Sequence, residues 1–163
     1  MHAPAPRGDT TAQGMVRPEW IDYNGHMNVA YYVLAFDLAT DTFLDTLGLD
    51  AAYRARSAHS TFALELHVNY LREIAADAPY IITTRLLDAD HKRLHLYHEM
   101  HHQQAGWLVA TNEVLTMHID MAQKRSARFP SDIQIRVDAA RTRHARLPRP
   151  PQAGSVMGIR RGG

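Results

Sequence analysis

No cysteine occurs among the 163 residues. Disulfides, thiolate zinc sites, iron–sulfur clusters and a cysteine nucleophile are thereby excluded, and the chain suits a reducing compartment. It has no run of about 18 apolar residues, and the opening MHAPAPRGDTTAQGM lacks the apolar stretch of a secretory leader. A cytoplasmic protein with no membrane partner is the expectation. Acidic residues are missing from 139–163, which holds Arg141, Arg143, Arg146, Arg149, Arg160 and Arg161. Setting those six arginines aside leaves 12 basic against 17 acidic residues over 1–138, so a net charge of −5 lies beneath the overall +1. The whole-chain charge therefore gives no ground for a nucleic-acid partner. With 45% hydrophobic and 21% charged residues, the chain is long enough for one buried core and too short for two.

Three segments follow from the pattern. Residues 1–14, rich in Ala, Pro and Gly without apolar periodicity, read as a flexible arm; 15–138 read as the folded domain; 139–163 read as a disordered Arg/Pro-rich tail. Met15 to Ile21 reads as an edge strand because Pro18 has no N–H to give. Asn24-Gly25 marks a turn. From Asn28 to Leu47 there is neither Pro nor Gly, and Tyr32, Phe36, Ala39, Phe43 and Leu47 recur as one apolar stripe, with Asp37, Asp41 and Asp45 on another side. A helix of about 20 residues follows, spanning roughly 30 Å, with Gly48 placed for a C-terminal cap.

Ala51 to Ser57 reads as a connection. Four strands then follow at 60–71, 79–87, 93–101 and 107–119, joined by short turns, the last pair across Gln103-Gln104-Ala105-Gly106. Their short connections imply antiparallel pairing. Pro130, Ser131 and Asp132 open a short helix toward Arg141. The fold class is α+β, an antiparallel sheet with one long helix against a face.

Three groups of residues invite chemistry. At the start of the long helix stands Trp20-Ile-Asp22-Tyr-Asn-Gly25-His26-Met-Asn28. A helix N-terminus carries unpaired N–H groups and partial positive charge, so it polarises a carbonyl oxygen, while Asp22 nearby serves as base or nucleophile. The alternative is a tight turn whose Asp bonds its own backbone, with Asn28 as N-cap. The histidines His91, His95, His98, His101 and His102 make a poor metal site, since His98 points to the opposite strand face from His95 and His101. A polar face or subunit contact is the reading, with no metal and no cofactor. Glu65, His67 and Asn69 share the face opposite Leu64, Leu66 and Val68; either Glu65 is buried toward the helix and assists proton transfer, or this is a solvent face.

The first of these groups resembles the D-x-x-G-H-[VM]-N signature of hotdog-fold acyl-CoA thioesterases of the 4-hydroxybenzoyl-CoA thioesterase type. Similarity extends over about residues 15–132, through Tyr70-Leu-Arg72, Glu99, Ala110-Thr111-Asn112-Glu113, Asp120 and Arg128-Phe129-Pro130. The resemblance implies a hotdog fold, in which the antiparallel sheet wraps one long central helix. It implies thioester hydrolysis of a small acyl-CoA with Asp22 as catalytic carboxylate, the Val29 N–H as oxyanion donor, and Asn28 orienting the turn or a water. Trp20 stands where many relatives carry a second aspartate. Active sites at a dimer interface, in a homodimer or homotetramer, are also implied, with Glu65 or His67 contributing from a neighbour.

A narrower similarity, in Asp22 to Asn28, Gly48 to Arg56 and Leu87 to Leu96, is to the thioesterases of carnitine breakdown, which act on betainyl-CoA. Its acyl group ends in a quaternary ammonium, which aromatic faces bind. Trp20, Tyr23, Tyr31 and Tyr32 are candidates for that cage, and Gly25 and His26 complete the expected substrate contacts. The alternative from another class is a non-catalytic hotdog module that binds acyl-CoA or an acyl carrier.

Overall fold

The computed structural model describes residues 7–159. Met1 to Pro6 of the expected arm, and Arg160 and Arg161 of the expected tail, lie outside the described residues. The remainder is an antiparallel sheet curled about one long helix. Its elements are β1 (Asp9–Met15), α1 (Val29–Leu47), α2 (Ala51–Ser57), β2 (His59–Tyr70), β3 (Pro79–Ala89), β4 (Arg93–His102), β5 (Leu108–Asp120), β6 (Arg125–Ser126) and α3 (Ser131–His144). The strand order is β1-β3-β4-β5-β2, with β6 beside β5.

Helix α1 forms where the stripe predicts it. The Asn28 carboxamide oxygen accepts the Ala30 N–H, and Gly48 closes the far end in the left-handed conformation at φ 84°. Tyr32, Phe36, Ala39, Phe43 and Leu47 are buried against the sheet, while Asp37, Asp41 and Asp45 are exposed. Two apolar clusters result. One gathers Tyr32 and Phe36 with Val16, Ile74, Tyr80, Ile82, Met100 and Val109, and the other gathers Phe43 and Leu47 with Tyr53, Leu86, Leu94, Leu96, Ile133 and Val137.

Between them runs a buried polar chain. Thr40 Oγ1 lies 3.0 Å from His98 Nε2, His98 Nδ1 2.7 Å from Thr84 Oγ1, and Thr84 Oγ1 2.7 Å from Thr11 Oγ1. Burial alone drives the His98 imidazole down to a pKa of about 3, so the ring is neutral, donating through one nitrogen and accepting through the other.

Several expectations are corrected. The strand expected at 15–21 lies earlier: residues 9–15 pair with β3 from Asp9↔Thr84 to Met15↔Pro79, so β1 takes up half of the supposed arm. Main-chain bonds to an open sheet edge hold it, which needs no apolar alternation. Pro18–Trp20 form a single 3-10 turn instead. Ala51–Ser57 is helical because Asp50 Oδ1 accepts the Tyr53 N–H at 2.7 Å and Tyr53 buries its ring. β2 does not pair with its successor β3. It crosses to β5, from His59↔Asp120 to Tyr70↔Ala110, and forms the sheet's other edge.

The C-terminal boundary also moves. Helix α3 continues past 138 to His144, whose Nδ1 accepts the Leu86 N–H at 2.9 Å just where β1 ceases to cover β3. Beyond it the chain is not a loose tail. Arg85 Nη1 donates to the Pro148 carbonyl at 2.7 Å, Tyr97 Oη to Gln152 Oε1 at 3.2 Å, and the Gly154 N–H to Glu113 Oε2 at 2.8 Å. Arg85, Tyr97 and Glu113 point away from α1, so residues 148–154 form a strap across the outer face of the sheet. Arg141 and Arg143 pair with Asp138 and Asp9, placing acidic groups of the domain against arginines of the supposed tail.

Candidate active site

The turn before α1 is built by its own backbone. The Asp22 N–H donates to the His26 carbonyl and the Gly25 N–H to the Asp22 carbonyl, each at 3.0 Å, and Ile21 bridges Met27. Gly25 sits at φ 80°, a conformation costly for a side chain bearing Cβ. The turn is tied to the domain by Asn28 N–H to Trp20 O at 2.8 Å and Met27 N–H to Ile74 O at 3.0 Å. One oxygen of Asp22, Oδ1, accepts the Asn24 N–H at 2.8 Å.

At the helix start, Asn28 takes both neighbouring donors: its Oδ1 accepts from Ala30 and its carbonyl from Tyr31 at 3.0 Å. Among the described residues the Val29 N–H has no hydrogen-bond partner. It is left at the positive end of the helix.

Asp22 and Val29 line one cleft of about 280 Å³, with Asn24, His26, Tyr32, Tyr70, Arg72 and Glu73 around it. His26 Nε2 lies 3.2 Å from Glu73 Oε2. The Tyr70 hydroxyl donates to the Val29 carbonyl at 3.3 Å, and its ring meets Tyr32 edge-on with centroids 5.2 Å apart. Burial, with the neighbouring Tyr70 and the carboxylates of Asp22 and Glu73, pushes the Tyr32 phenol up to about 12. Tyr32 therefore stays neutral and adds no charge beside Asp22. A carboxylate and an unpaired N–H at a helix N-terminus, opening on the same space, are what attack on a polarised carbonyl requires. Among the described residues, no group of three or more His, Asp or Glu side chains is arranged to hold a metal ion.

The expected substrate contacts divide. His26 lines the cleft. Trp20 does not: it is 7% exposed, stacked on Tyr31 at 5.4 Å, with the Arg17 guanidinium over its ring. Tyr23 is 97% exposed, and neither it nor Tyr31 lines the cleft. The four-ring cage is thus absent within one chain, because two of its members, Trp20 and Tyr32, are spent on the core. Asn28 works through the helix cap and Gly25 through the turn, rather than at the cleft wall.

Glu65 is exposed, not buried toward the helix, and His67 is half-buried. Both line a separate cavity with His95, Glu113 and the strap residues Gly154 and Ser155, where His95 Nε2 meets Glu113 Oε1 at 2.6 Å. The pattern overlooked Glu73, and gave Tyr70 and Arg72 no site role. They reach the cleft because Leu71 and Arg72 both donate to the Val109 carbonyl, turning the end of β2 toward the start of α1. A strand end followed by charge is the signal that marked them.

Comparison with known proteins agrees with this geometry. The family model of the Thioesterase-like superfamily matches residues 16–137. Betainyl-CoA thioesterase of Pseudomonas aeruginosa is 40% identical over 150 residues, covering 92% of this chain and 94% of that protein. The L-carnitine dehydrogenase/betainyl-CoA thioesterase of Agrobacterium fabrum is 39% identical over 141 residues, 86% of this chain but 28% of that longer protein. Among solved structures, the Staphylococcus aureus hypothetical protein SAV2348 in complex with CoA superposes with a TM-score of 0.87 at 30% identity, over 96% of this chain and 99% of its own. A putative thioesterase of Pseudomonas putida KT2440 superposes with a TM-score of 0.82 at 32% identity, over 94% and 98%. The chain belongs to the Thioesterase-like superfamily.

Proposed function

We propose that this protein hydrolyses a small acyl-CoA to the free acid and CoA, with betainyl-CoA as the preferred substrate. The observation that carries the reading is the shared cleft of the Asp22 carboxylate and the unpaired Val29 N–H. The thioester carbonyl oxygen accepts from Val29, where the helix N-terminus stabilises the negative charge that develops on it. Asp22 takes a proton from the attacking water, or attacks directly to form an anhydride that water opens; in either case the C–S bond breaks and CoA leaves as thiolate.

Betainyl-CoA suits the rest of the cleft. A trimethylammonium accepts no hydrogen bond but is drawn to aromatic faces and carboxylates. Tyr70, 48% exposed, and Glu73 supply both at the cleft wall. This pair takes over the role expected of the four-ring cage. The acyl-CoA reading fits the names of the relatives, and a cytoplasmic location fits such a substrate.

A second copy of the chain completes the picture as a homodimer or homotetramer. Strand β2 is a sheet edge exposing Phe62, Leu64, Leu66 and Tyr70 at 44–50%, and an apolar edge of that length pairs readily with another chain.

The test is Asp22→Asn with betainyl-CoA in a thiol-release assay. The carboxamide oxygen still accepts the Asn24 N–H, so the turn survives while the base is lost. A fall in kcat of about 10²–10⁴ is expected; hydrolysis at the wild-type rate removes Asp22 from the mechanism. The non-catalytic reading has one observation in its favour, that Asp22 Oδ1 bonds its own turn as a purely structural aspartate does. Tight acyl-CoA binding by the wild-type protein without turnover decides for it.

A further inference from the structure

A second cavity, of about 520 Å³, opens on the outer face of the sheet. Leu71 and Arg72 line both this cavity and the cleft that holds Asp22, so the two adjoin across one turn of chain. Its charged groups are Arg7, Arg72, Arg85 and Glu99, three guanidiniums against one carboxylate.

The deep wall carries unspent hydrogen-bonding capacity. Arg85 is 2% exposed; its Nη1 donates to the Pro148 carbonyl and its Nη2 stands 3.5 Å from Glu99 Oε1, but its Nε–H has no partner among the described residues. His101 is 6% exposed and its Nδ1 is likewise unpartnered. Burying such atoms unpaired is costly, and a polar ligand relieves it. At the rim, Trp107 is 37% exposed, with the Arg72 guanidinium 5.8 Å from its ring centre. The strap residues Pro150, Pro151 and Gln152 close the far side.

We propose that this cavity binds the adenosine bisphosphate end of CoA, the phosphates against Arg7, Arg72 and the Arg85 Nε–H, and the purine against Trp107. The inference rests on the acyl-CoA reading of the adjoining cleft and gives it a nucleotide subsite. Three features select that ligand. The excess of guanidinium calls for an anion of more than one charge. The exposed indole calls for a flat π-system. The volume lies within the roughly 300–1,000 Å³ of ordinary small-molecule sites. The strap then has a purpose that an Arg/Pro-rich disordered end lacks: it fixes Arg85 through the Pro148 carbonyl and walls the nucleotide in.

The experiment uses the full-length protein and two readouts. Calorimetry with adenosine 3′,5′-bisphosphate is expected to show binding that weakens about tenfold in Arg72→Gln and in Trp107→Ala, and that Trp107→Phe restores in part. Inorganic pyrophosphate, the phosphate-only probe, is expected to bind far more weakly. Kinetics compare an acyl-CoA with the N-acetylcysteamine thioester of the same acid. The wild-type preference in kcat/KM for the CoA ester is expected to narrow about tenfold in Trp107→Ala.

Bisphosphate binding unaffected by both variants, or pyrophosphate binding as tightly as the nucleotide, overturns the assignment. Failure of the acyl-CoA reading looks different: no thioester of either kind is cleaved, whatever the calorimetry gives. Hydrolysis of the CoA ester without bisphosphate binding removes the subsite and leaves the thioesterase.

Discussion

His98 offers a sharp test of how the core is built. It lies at the junction of the two apolar clusters, fully buried, with Thr40 on one nitrogen and Thr84 on the other. In His98→Phe the ring is kept, 5.7 Å from Phe36 in the native packing, and both hydrogen bonds are lost. Neither threonine is orphaned: Thr40 still donates to the Phe36 carbonyl at 3.0 Å, and Thr84 keeps Thr11 at 2.7 Å. At pH 7.5 the loss is therefore two net hydrogen bonds, about 2 kcal/mol, offset in part by the more apolar ring.

Acid reverses the comparison. The folded imidazole has a pKa of about 3 against 6.5 for an unperturbed one, so the unfolded chain binds the proton first. Stability from neutral His98 is complete above pH 6.5 and declines as pH falls toward 3, by about 1.4 kcal/mol per unit. By pH 5 wild type has lost about 2 kcal/mol through this group, and the variant has lost none. Urea unfolding at fixed protein concentration, followed by Trp20 and Trp107 fluorescence, is expected to show the variant less stable at pH 7.5, level near pH 5 and more stable below it. His101, His118 and His144, whose pKa values burial also lowers, contribute equally to both proteins and cancel in the difference. A difference between the two proteins that does not change from pH 7.5 to 5 refutes the argument.

Other outcomes follow from the site. Asn28→Ala removes the α1 cap and is expected to cost about 1 kcal/mol in unfolding free energy, with kcat falling more than KM rises because the Val29 N–H loses its fixed direction; unchanged kcat separates the cap from the chemistry. Glu73→Gln is expected to lower kcat/KM for betainyl-CoA about tenfold relative to 3,3-dimethylbutyryl-CoA, its neutral isostere. Equal losses on both esters in the same thiol-release assay show that Glu73 does not read the charge.

The sequence alone determined α1 and what stands at its start. An unbroken apolar stripe, an Asn that caps and a Gly that ends a helix are local signals, and the D-x-x-G-H-M-N turn brought Asp22, His26 and Val29 to one place as expected. The strands after α2 were also legible, since β-favouring residues and turns declare themselves over short stretches.

What the local pattern does not contain is which element lies beside which. β1 has no apolar alternation because its stability comes from main-chain pairing with β3, and the crossing of β2 to β5 is a property of the whole sheet. Alternation told that Glu65 and His67 share a face, but only the sheet order showed that this face belongs to the strap and not to the cleft. Trp20 and Tyr32 looked available for a ligand until packing used their surfaces in the core. Tyr70, Arg72 and Glu73 joined the site because the chain turns at Val109, more than thirty residues further along. The strap was hidden for the same reason: proline and arginine suggest a solvated end until buried Arg85, Tyr97 and Glu113 on the outer face of the sheet give it partners.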